Sequence, residues 1–326
     1  MIERRAVLGL LAALGLLPLP ASSQAVISAK SGLIHYVEGR VLLDGRQVQP
    51  KFGQFPHISP QSLLRTEAGR AEVLLSPGTF LRVAERTEFR LLSDRISDTA
   101  LELLRGSVLI ECAEMPKGSV LTVHSGQAVI TIREDGLYRI DADPPELRVY
   151  GGQAVVESGG QAVTVKKGKA VALDDSLIAR KFDVKVGDPF FRWSKRRAET
   201  IAMANLASAR SLYESGVRLR SSSWYWNPYF GLFTFIPYRG IWSSPFGWRY
   251  YSPREVYVSF EPPRGRAPAG WDRTPRYDAN LGYGTIRTTP AGTSGTVAAS
   301  GPPAAASSGS AAPIRRESGS ASGRPR

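Results

Sequence analysis

The sequence predicts a mainly β protein: a β-sandwich or β-roll domain, followed by a helix, an aromatic-rich irregular segment and a disordered tail. Short apolar runs separated by Gly-containing turns fill the first half of the chain, and a helical period appears only after them. Beyond the aromatic segment the composition shifts to Pro, Gly, Ser and Ala. We therefore divide the chain into a predicted signal peptide, a β-domain, a connecting helix, an aromatic Arg-rich segment and a tail, over residues 1–25, 26–180, 181–220, 221–261 and 262–326.

Charge is distributed unevenly along the chain, which carries a formal net charge of +13. Residues 26–175 contain 18 basic and 19 acidic side chains, so essentially the whole excess lies beyond them. Most of the basic residues are Arg, which binds carboxylate or phosphate in a bidentate manner. Because the excess is confined to one half of the chain, and because the N-terminal segment described next predicts export, we expect no nucleic-acid partner.

The first 25 residues have the three parts of a secretion signal. These are the basic "MIERR", the apolar "AVLGLLAALGLL", and "PLPASSQA" with Ser23 and Ala25 at the small-residue positions. The apolar run is short for a membrane anchor, although a retained anchor stays open, as does twin-arginine export through Arg4 and Arg5. We expect cleavage after Ala25, a mature chain without a transmembrane span, and a location in the periplasm or at the cell surface.

A hairpin is predicted inside the β-domain, in "RAEVLLSPGTFLRVAERTEFRLL". Pro77 and Gly78 supply the turn, since Pro presets φ and Gly accepts a positive φ. The alternation on both sides of the turn predicts one buried face. That face would hold the apolar residues Ala71, Val73, Leu75, Leu81 and Val83.

This hairpin and three later stretches resemble a FecR-type domain in the same order. The stretches are "ALELLRGSVLIECAE", "LTVHSGQAVITIREDGLYRID" and "LRVYGGQAVVESGGQAVTVKKGKAVALD", so the resemblance covers about residues 30–175. FecR-type domains are envelope β-modules, named after the periplasmic part of an iron-transport regulator. That regulator relays the state of an outer-membrane receptor to a membrane-tethered anti-sigma segment. The resemblance implies a β fold, an envelope location and an interaction role. The alternation of strands and turns and the near-neutral charge predict that residues 30–175 fold by themselves.

The sequence departs from the FecR pattern in two ways. Where the family often shows Arg-Gly-Thr before a late strand, this chain has "IREDGLYRID". We also expect no cytoplasmic anti-sigma segment and no separate transmembrane helix, because the β-domain begins almost directly after the predicted signal peptide. Transcriptional signalling is therefore not carried over.

A helix is predicted over residues 189–216, where Phe190, Trp193, Arg197 and Ile201 fall at steps of three and four and Gly216 is the stop. We expect its aromatic end to pack on the β-domain and its charges to be solvated, with a cationic docking turn at "WSKRR" as the alternative. Further on, "SPREVYVSFEP" is interpreted as one more strand. The tail beyond it cannot bury enough apolar surface to fold.

Histidines and aspartates give no sign of a metal site. We interpret His35, His57 and His124 as surface or loop residues, because none has a second His or Cys at metal-ligand spacing. Asp141 and Asp143 in "RIDADPP" lack the Gly and distal Glu of a calcium loop, so a solvated turn is expected. No metal and no cofactor are predicted.

The remaining candidates for chemistry also have structural interpretations. Cys112, the single cysteine, is expected to be a buried and inert thiol. Glu102 and Glu111 could form a glycosidase-like pair, but as outward residues of adjacent strands they are expected to pair with Arg90 or Arg105. We predict no catalytic residue and no enzyme.

Residues 222–251, "SSWYWNPYFGLFTFIPYRGIWSSPFGWRYY", concentrate aromatic rings. Pro228, Pro237 and Arg239 rule out a membrane-spanning helix. We expect short strands and turns that pack partly on the 189–216 helix, with a small aromatic core as the plainer alternative. A partner-binding face is predicted at Trp224, Trp226, Tyr229, Arg239, Trp242, Trp248 and Arg249.

Together these features predict an exported, non-enzymatic envelope protein that binds or scaffolds a protein or glycan partner. Contact with the membrane interface stays open, because Trp, Tyr and Arg are enriched there. The alternatives are an enzyme acting on an envelope polysaccharide, which would need a pair of carboxylates in a groove, and a surface protein that binds polyanions.

Overall fold

A large coiled β-sheet forms the first part of the described chain. The computed structural model describes residues 30–49 and 53–260. The predicted signal peptide and the predicted disordered tail lie outside these residues.

Fifteen of the described strands belong to one sheet. They are β1 Leu33–Leu43, β2 Arg46–Gln47, β3 Leu63–Leu74, β4 Thr79–Val83, β5 Glu88–Arg95, β6 Asp98–Arg105, β7 Ser107–Cys112, β8 Val120–Ser125, β9 Ala128–Ile132, β10 Gly136–Ala142, β11 Pro145–Gly151, β12 Gln153–Ser158, β13 Gln161–Lys166, β14 Lys169–Ala172 and β15 Ala179–Lys181.

The strands run in the order β13-β12-β9-β8-β6-β5-β3-β4-β7-β10-β11-β14-β15, with β1 beside β3 and β2 beside β1. Among the described pairs, β6 and β8 are parallel and the others are antiparallel. The sheet coils until β13 lies near β14, and the inward side chains of nearly every strand form one apolar core. The prediction of a mainly β domain followed by a helix is therefore confirmed.

The predicted hairpin is present as β3 and β4, which pair in antiparallel register. Gly78 sits in its turn at a φ of 85°, where a side chain would be strained. The prediction of one buried face is wrong, because the second face is covered by a layer of the chain that follows much later in the sequence. The residues of that second face are also fully buried: Glu72, Leu74, Phe80 and Arg82.

The predicted helix is present as α1, Pro189–Glu214. Its first turn is capped by Asp188, whose carboxylate accepts the N–H of Phe191 at 2.8 Å. After the last turn Gly216 adopts a φ of 69°. Its N–H donates to the carbonyl of Tyr213 and the N–H of Val217 donates to that of Leu212, which is a Schellman motif. The helical period and the stop at Gly216 are therefore confirmed, and Asp188 is an N-cap that the structure adds.

Two hairpins and a short helix follow α1. They consist of β16 Ser223–Asn227, β17 Leu232–Ile236, β18 Ile241–Ser243, β19 Arg249–Tyr251 and α2 Pro253–Phe260. We call α1, the two hairpins and α2 the C-terminal layer. Across residues 30–49 and 53–260, neither helix has the length and apolar character needed to cross a membrane.

The strand interpretation of "SPREVYVSFEP" is wrong, because α2 occupies this position. Val256 and Val258 favour a strand locally. However, Pro253 can start a helix and Glu255 in the first turn is favourable at its N-terminus. Val256 is buried against α1 and β17, so burial of one helical face decides the conformation.

The β16–β17 hairpin lies between the sheet and α1 and buries both of its faces. One face packs aromatic rings on Leu74 and Phe80 of the sheet. On the other face the Thr234 hydroxyl donates to the carbonyl of Ile201 in α1 at 2.7 Å. A two-sided interlayer needs apolar residues at consecutive positions, which explains the aromatic density of residues 222–251.

Candidate functional site

A cluster of charged residues is buried where the sheet meets the C-terminal layer. The side chains of Glu72, Arg82 and Glu111 have no solvent exposure, and Arg197 of α1 reaches them from the layer. His35 of β1 completes the group, which we call the ionic cluster. Two arginines face two carboxylates, so the charges balance.

Arg82 is at the centre of the ionic cluster. Its Nε donates to Glu72 at 3.0 Å and its Nη1 donates to Glu111 at 2.6 Å. Arg197 Nη2 donates to the other oxygen of Glu72 at 2.9 Å, and the Ser244 hydroxyl donates to Glu111. Each of the two carboxylates therefore accepts a hydrogen bond from the sheet and one from the C-terminal layer. Hydrogen bonds to an ionised carboxylate are stronger than those between neutral groups.

His35 connects the same two parts of the molecule. Its Nε2 accepts the N–H of Phe233 in β17 at 2.8 Å. The proton of the neutral ring is therefore on Nδ1, which donates to Glu72 at 2.9 Å. Burial lowers the pKa of His35, so the ring is neutral at pH 7.

The electrostatics of the ionic cluster favour permanent charges. Burial alone would raise the pKa of Glu72, but Arg197 and Arg82 outweigh it and hold that pKa well below its usual range. Burial also opposes the charged form of Arg82, but Glu111 and Glu72 outweigh this effect and raise its pKa. A carboxylate held in this way is a poor general acid or base, so the cluster serves to join the two layers.

Three sequence interpretations are corrected at this interface. His35 is not a surface histidine, and Glu111 pairs with buried Arg82 rather than with Arg90 or Arg105. The expectation of solvated charges on α1 is wrong for Arg197, since its partner Glu72 lies in the core.

The predictions for the other acidic residues are partly correct. Glu102 pairs with Arg90 at 2.9 Å at the surface, as expected. Asp141 is buried on β10 and accepts from Arg139 at 2.9 Å, so the solvated turn is wrong for it. Asp143 does lie in the turn that follows.

The remaining histidines and the cysteine, for which no chemistry was predicted, lie in the part of the chain that forms the sheet. His57 and His124 are half-buried, and His124 is on β8 rather than in a loop. Cys112 is fully buried, and burial raises the pKa of its thiol, which suits an inert side chain. The described ranges contain no group of three or more His, Cys, Asp or Glu side chains placed to hold a metal ion.

Sequence reasoning missed the ionic cluster, although one signal for it exists. Glu72 and Arg82 are directly opposite each other across the predicted hairpin. Opposite charges at a cross-strand pair, with the apolar residues Leu74 and Phe80 beside them on the same face, indicate an ion pair on a face that is buried under another part of the chain. The contributions of Arg197 and Ser244 lie too far along the chain for any local pattern to predict.

The seven predicted partner-binding residues fall into two groups. Trp224 is buried at 7% exposure, and the other tryptophans are half-buried in the same apolar cluster: Trp226, Trp242 and Trp248. Tyr229, Arg239 and Arg249 are exposed. Tyr229 lies at the turn of the β16–β17 hairpin and Arg239 beyond its opposite end, so the structure does not bring these seven residues onto one surface.

The turn between β16 and β17 displays aromatic side chains to solvent. Tyr229 is 94% exposed and its neighbour Phe230 is 38% exposed. The Asn227 side-chain oxygen accepts both of their N–H groups, at 3.0 and 3.1 Å. Asn227 is itself anchored to α1, because its amide donates to the Ser208 hydroxyl at 2.9 Å. We call Tyr229 and Phe230 the aromatic tip.

Part of the sheet is similar to known proteins. A family model described as FecR protein matches residues 62–170, from just before β3 into β14. Two crystal structures of a "putative anti-sigma factor" from Parabacteroides distasonis are similar, each with 14% sequence identity and with TM-scores of 0.34 and 0.33. The similarity covers 38% and 37% of this chain and only 61% and 59% of those chains. No curated protein matches the sequence.

Proposed function

We propose that the protein is an exported, non-enzymatic envelope protein that binds a protein partner, and the match of residues 62–170 to the FecR family model supports this proposal. A glycan partner is the alternative that shares the same surface chemistry. The FecR match supports the envelope location and the absence of catalysis. The domain boundaries at residues 180, 220 and 261 are part of this proposal, with the C-terminal layer as the part that presents the binding surface.

The observation that carries the proposal is the aromatic tip. Tyr229 and Phe230 are exposed, yet their backbone is held by Asn227, which is fixed to α1. A ring on a preorganised turn loses little conformational entropy on binding, which favours affinity. Tyr is among the residues that dominate binding energy at protein interfaces. Trp224 is buried in the apolar cluster and need not touch a partner.

The test compares two double variants of the protein as processed by its host. Y229S/F230S removes the aromatic tip, and the control I178S/V186S removes two apolar side chains that are 70% and 69% exposed elsewhere. Retention on immobilised envelope extract is measured for both variants, together with melting by circular dichroism. We expect the tip variant to lose at least about tenfold in retention, as for loss of one interface hot spot, with melting unchanged.

Two results would overturn the proposal. If the tip variant and the control are retained equally well, partner binding does not use the aromatic tip. If the protein accumulates in the cytoplasm with Met1 retained, the export that the proposal requires does not take place.

A further inference from the structure

Exposed arginines gather at the end of the β16–β17 hairpin that lies opposite the aromatic tip. They are accompanied by two exposed apolar side chains. We call this group the arginine rim, and it consists of Arg220, Arg239, Arg254, Tyr238 and Ile241.

Backbone connections bring the members of the rim together. The N–H of Tyr238 donates to the Ser222 hydroxyl at 3.0 Å, which places the segment of Arg220 beside the end of β17. The N–H of Ser252 donates to the carbonyl of Gly240 at 3.0 Å, so the start of α2 lies at the same end. Arg254 is two residues further along α2.

The charges of the rim are available for a ligand. Within residues 30–49 and 53–260, no carboxylate lies within ion-pair distance of Arg220, Arg239 or Arg254. Tyr238 is 48% exposed and Ile241 is 41% exposed. The guanidinium of Arg239 lies 5.9 Å from the ring centre of Tyr238, so charge and aromatic surface adjoin.

The rest of the chain is poorly suited to cover this surface. Residues 261–326 contain nine Arg and four acidic residues, so their net charge has the same sign as the rim. Residues 1–29 contain two Arg and one Glu. Charge complementarity therefore favours an external anionic partner.

The apolar side chains indicate which anionic partner fits. A soluble anion needs only the arginines, whereas Tyr and Ile flanked by Arg match the border between headgroups and acyl chains of a bilayer. We propose that the arginine rim docks the protein on a membrane surface rich in anionic phospholipid headgroups. The inference rests on the proposed function, because it requires an envelope location.

The test uses the protein as processed by its host and two triple variants with the same loss of charge. R220S/R239S/R254S removes the rim, and the control R46S/R105S/K117S removes three exposed basic residues of the sheet domain. Co-sedimentation is measured with vesicles of phosphatidylcholine alone and with one third phosphatidylglycerol. Each basic residue at an anionic surface contributes about fivefold to binding, so the rim variant should bind the anionic vesicles about a hundredfold more weakly.

The control variant should lose no more than about threefold, and raising the salt concentration should weaken wild-type binding. Salt does not screen the apolar contacts of Tyr238 and Ile241 with the bilayer. The double variant Y238S/I241S should therefore reduce the vesicle binding that remains at high salt. Melting temperatures of all variants should match that of the wild type, because every altered side chain is exposed.

Three results would overturn the inference. One is equal loss of binding in the rim variant and the control, which would indicate diffuse charge. Another is wild-type binding that does not depend on phosphatidylglycerol. The third is rim-dependent binding of soluble polyglutamate without binding of vesicles, which would assign the rim to an acidic polypeptide. In each case retention through the aromatic tip would be unaffected, so failure here is distinguishable from failure of the proposed function.

Discussion

At the scale of single residues, Arg82 connects the sheet to the C-terminal layer. It has no solvent exposure and binds both Glu72 and Glu111. Its guanidinium also lies 5.4 Å from the ring centre of Phe80 and 5.6 Å from that of Phe246, one ring from each part of the molecule. A buried charge in this position is tolerated because two carboxylates neutralise it, although its Nη2 has no hydrogen-bond partner.

Replacing Arg82 should therefore be far more costly than replacing an arginine of a surface pair. We expect R82M to lower the free energy of unfolding by about 3–5 kcal/mol, because it leaves Glu111 without a counter-charge in the core. The matched control is R90M, which breaks the surface pair of Arg90 with Glu102, and it should cost less than about 1 kcal/mol. Urea unfolding measures both, and a cost for R82M as small as that of R90M would contradict this role.

At the scale of elements, local signals were sufficient for some predictions and insufficient for others. The end of α1 was predicted from Gly216 and the β3–β4 turn from Pro77 and Gly78, because each signal acts within a few residues. Burial of the second face of that hairpin depends on Arg197 of α1, which is 125 residues from Glu72 in sequence. The conformation of α2 likewise depends on its packing against α1 and β17. The β-branched residues of this segment predicted a strand, and that prediction is wrong.

One polar residue of α1 forms hydrogen bonds with both hairpins. Asn205 has no solvent exposure, and its amide donates to the carbonyls of Phe235 at 2.8 Å and Tyr251 at 3.0 Å. Its oxygen accepts the N–H of Tyr251 at 2.8 Å. Both hairpins are thus attached to α1 by a single side chain whose hydrogen-bonding groups are all used.

We expect N205L to destabilise the protein by at least about 2 kcal/mol, because it leaves buried backbone groups of β17 and β19 without partners. A207L places the same side chain at an exposed position of α1 and should change stability by no more than about 0.5 kcal/mol. Thermal and urea unfolding of the two variants provide the comparison. Equal stability of the two variants would show that Asn205 does not hold the hairpins.

At the scale of the whole molecule, the sheet and the C-terminal layer form one structural unit. The FecR match ends at residue 170, yet the outer face of β3, β4 and β7 is covered by residues beyond 189. That the β-domain folds by itself stays a prediction, and by itself it would expose Leu74 and Phe80 and hydrate the ionic cluster. In the whole chain this shared interface should make the two parts unfold together.

Tryptophan fluorescence tests this cooperativity most directly, because all six tryptophans lie beyond residue 192 and none lies in the β-domain. With Trp271 replaced by Phe, the fluorescence of the remaining five reports on the C-terminal layer alone. Accessibility of the single thiol, Cys112 of β7, to a short pulse of a thiol reagent in the same urea solutions reports on the sheet. We predict that the two urea transitions coincide in midpoint and slope. A fluorescence transition that is complete while the sheet signal is still native would contradict the account, because the C-terminal layer would then be a separate unit.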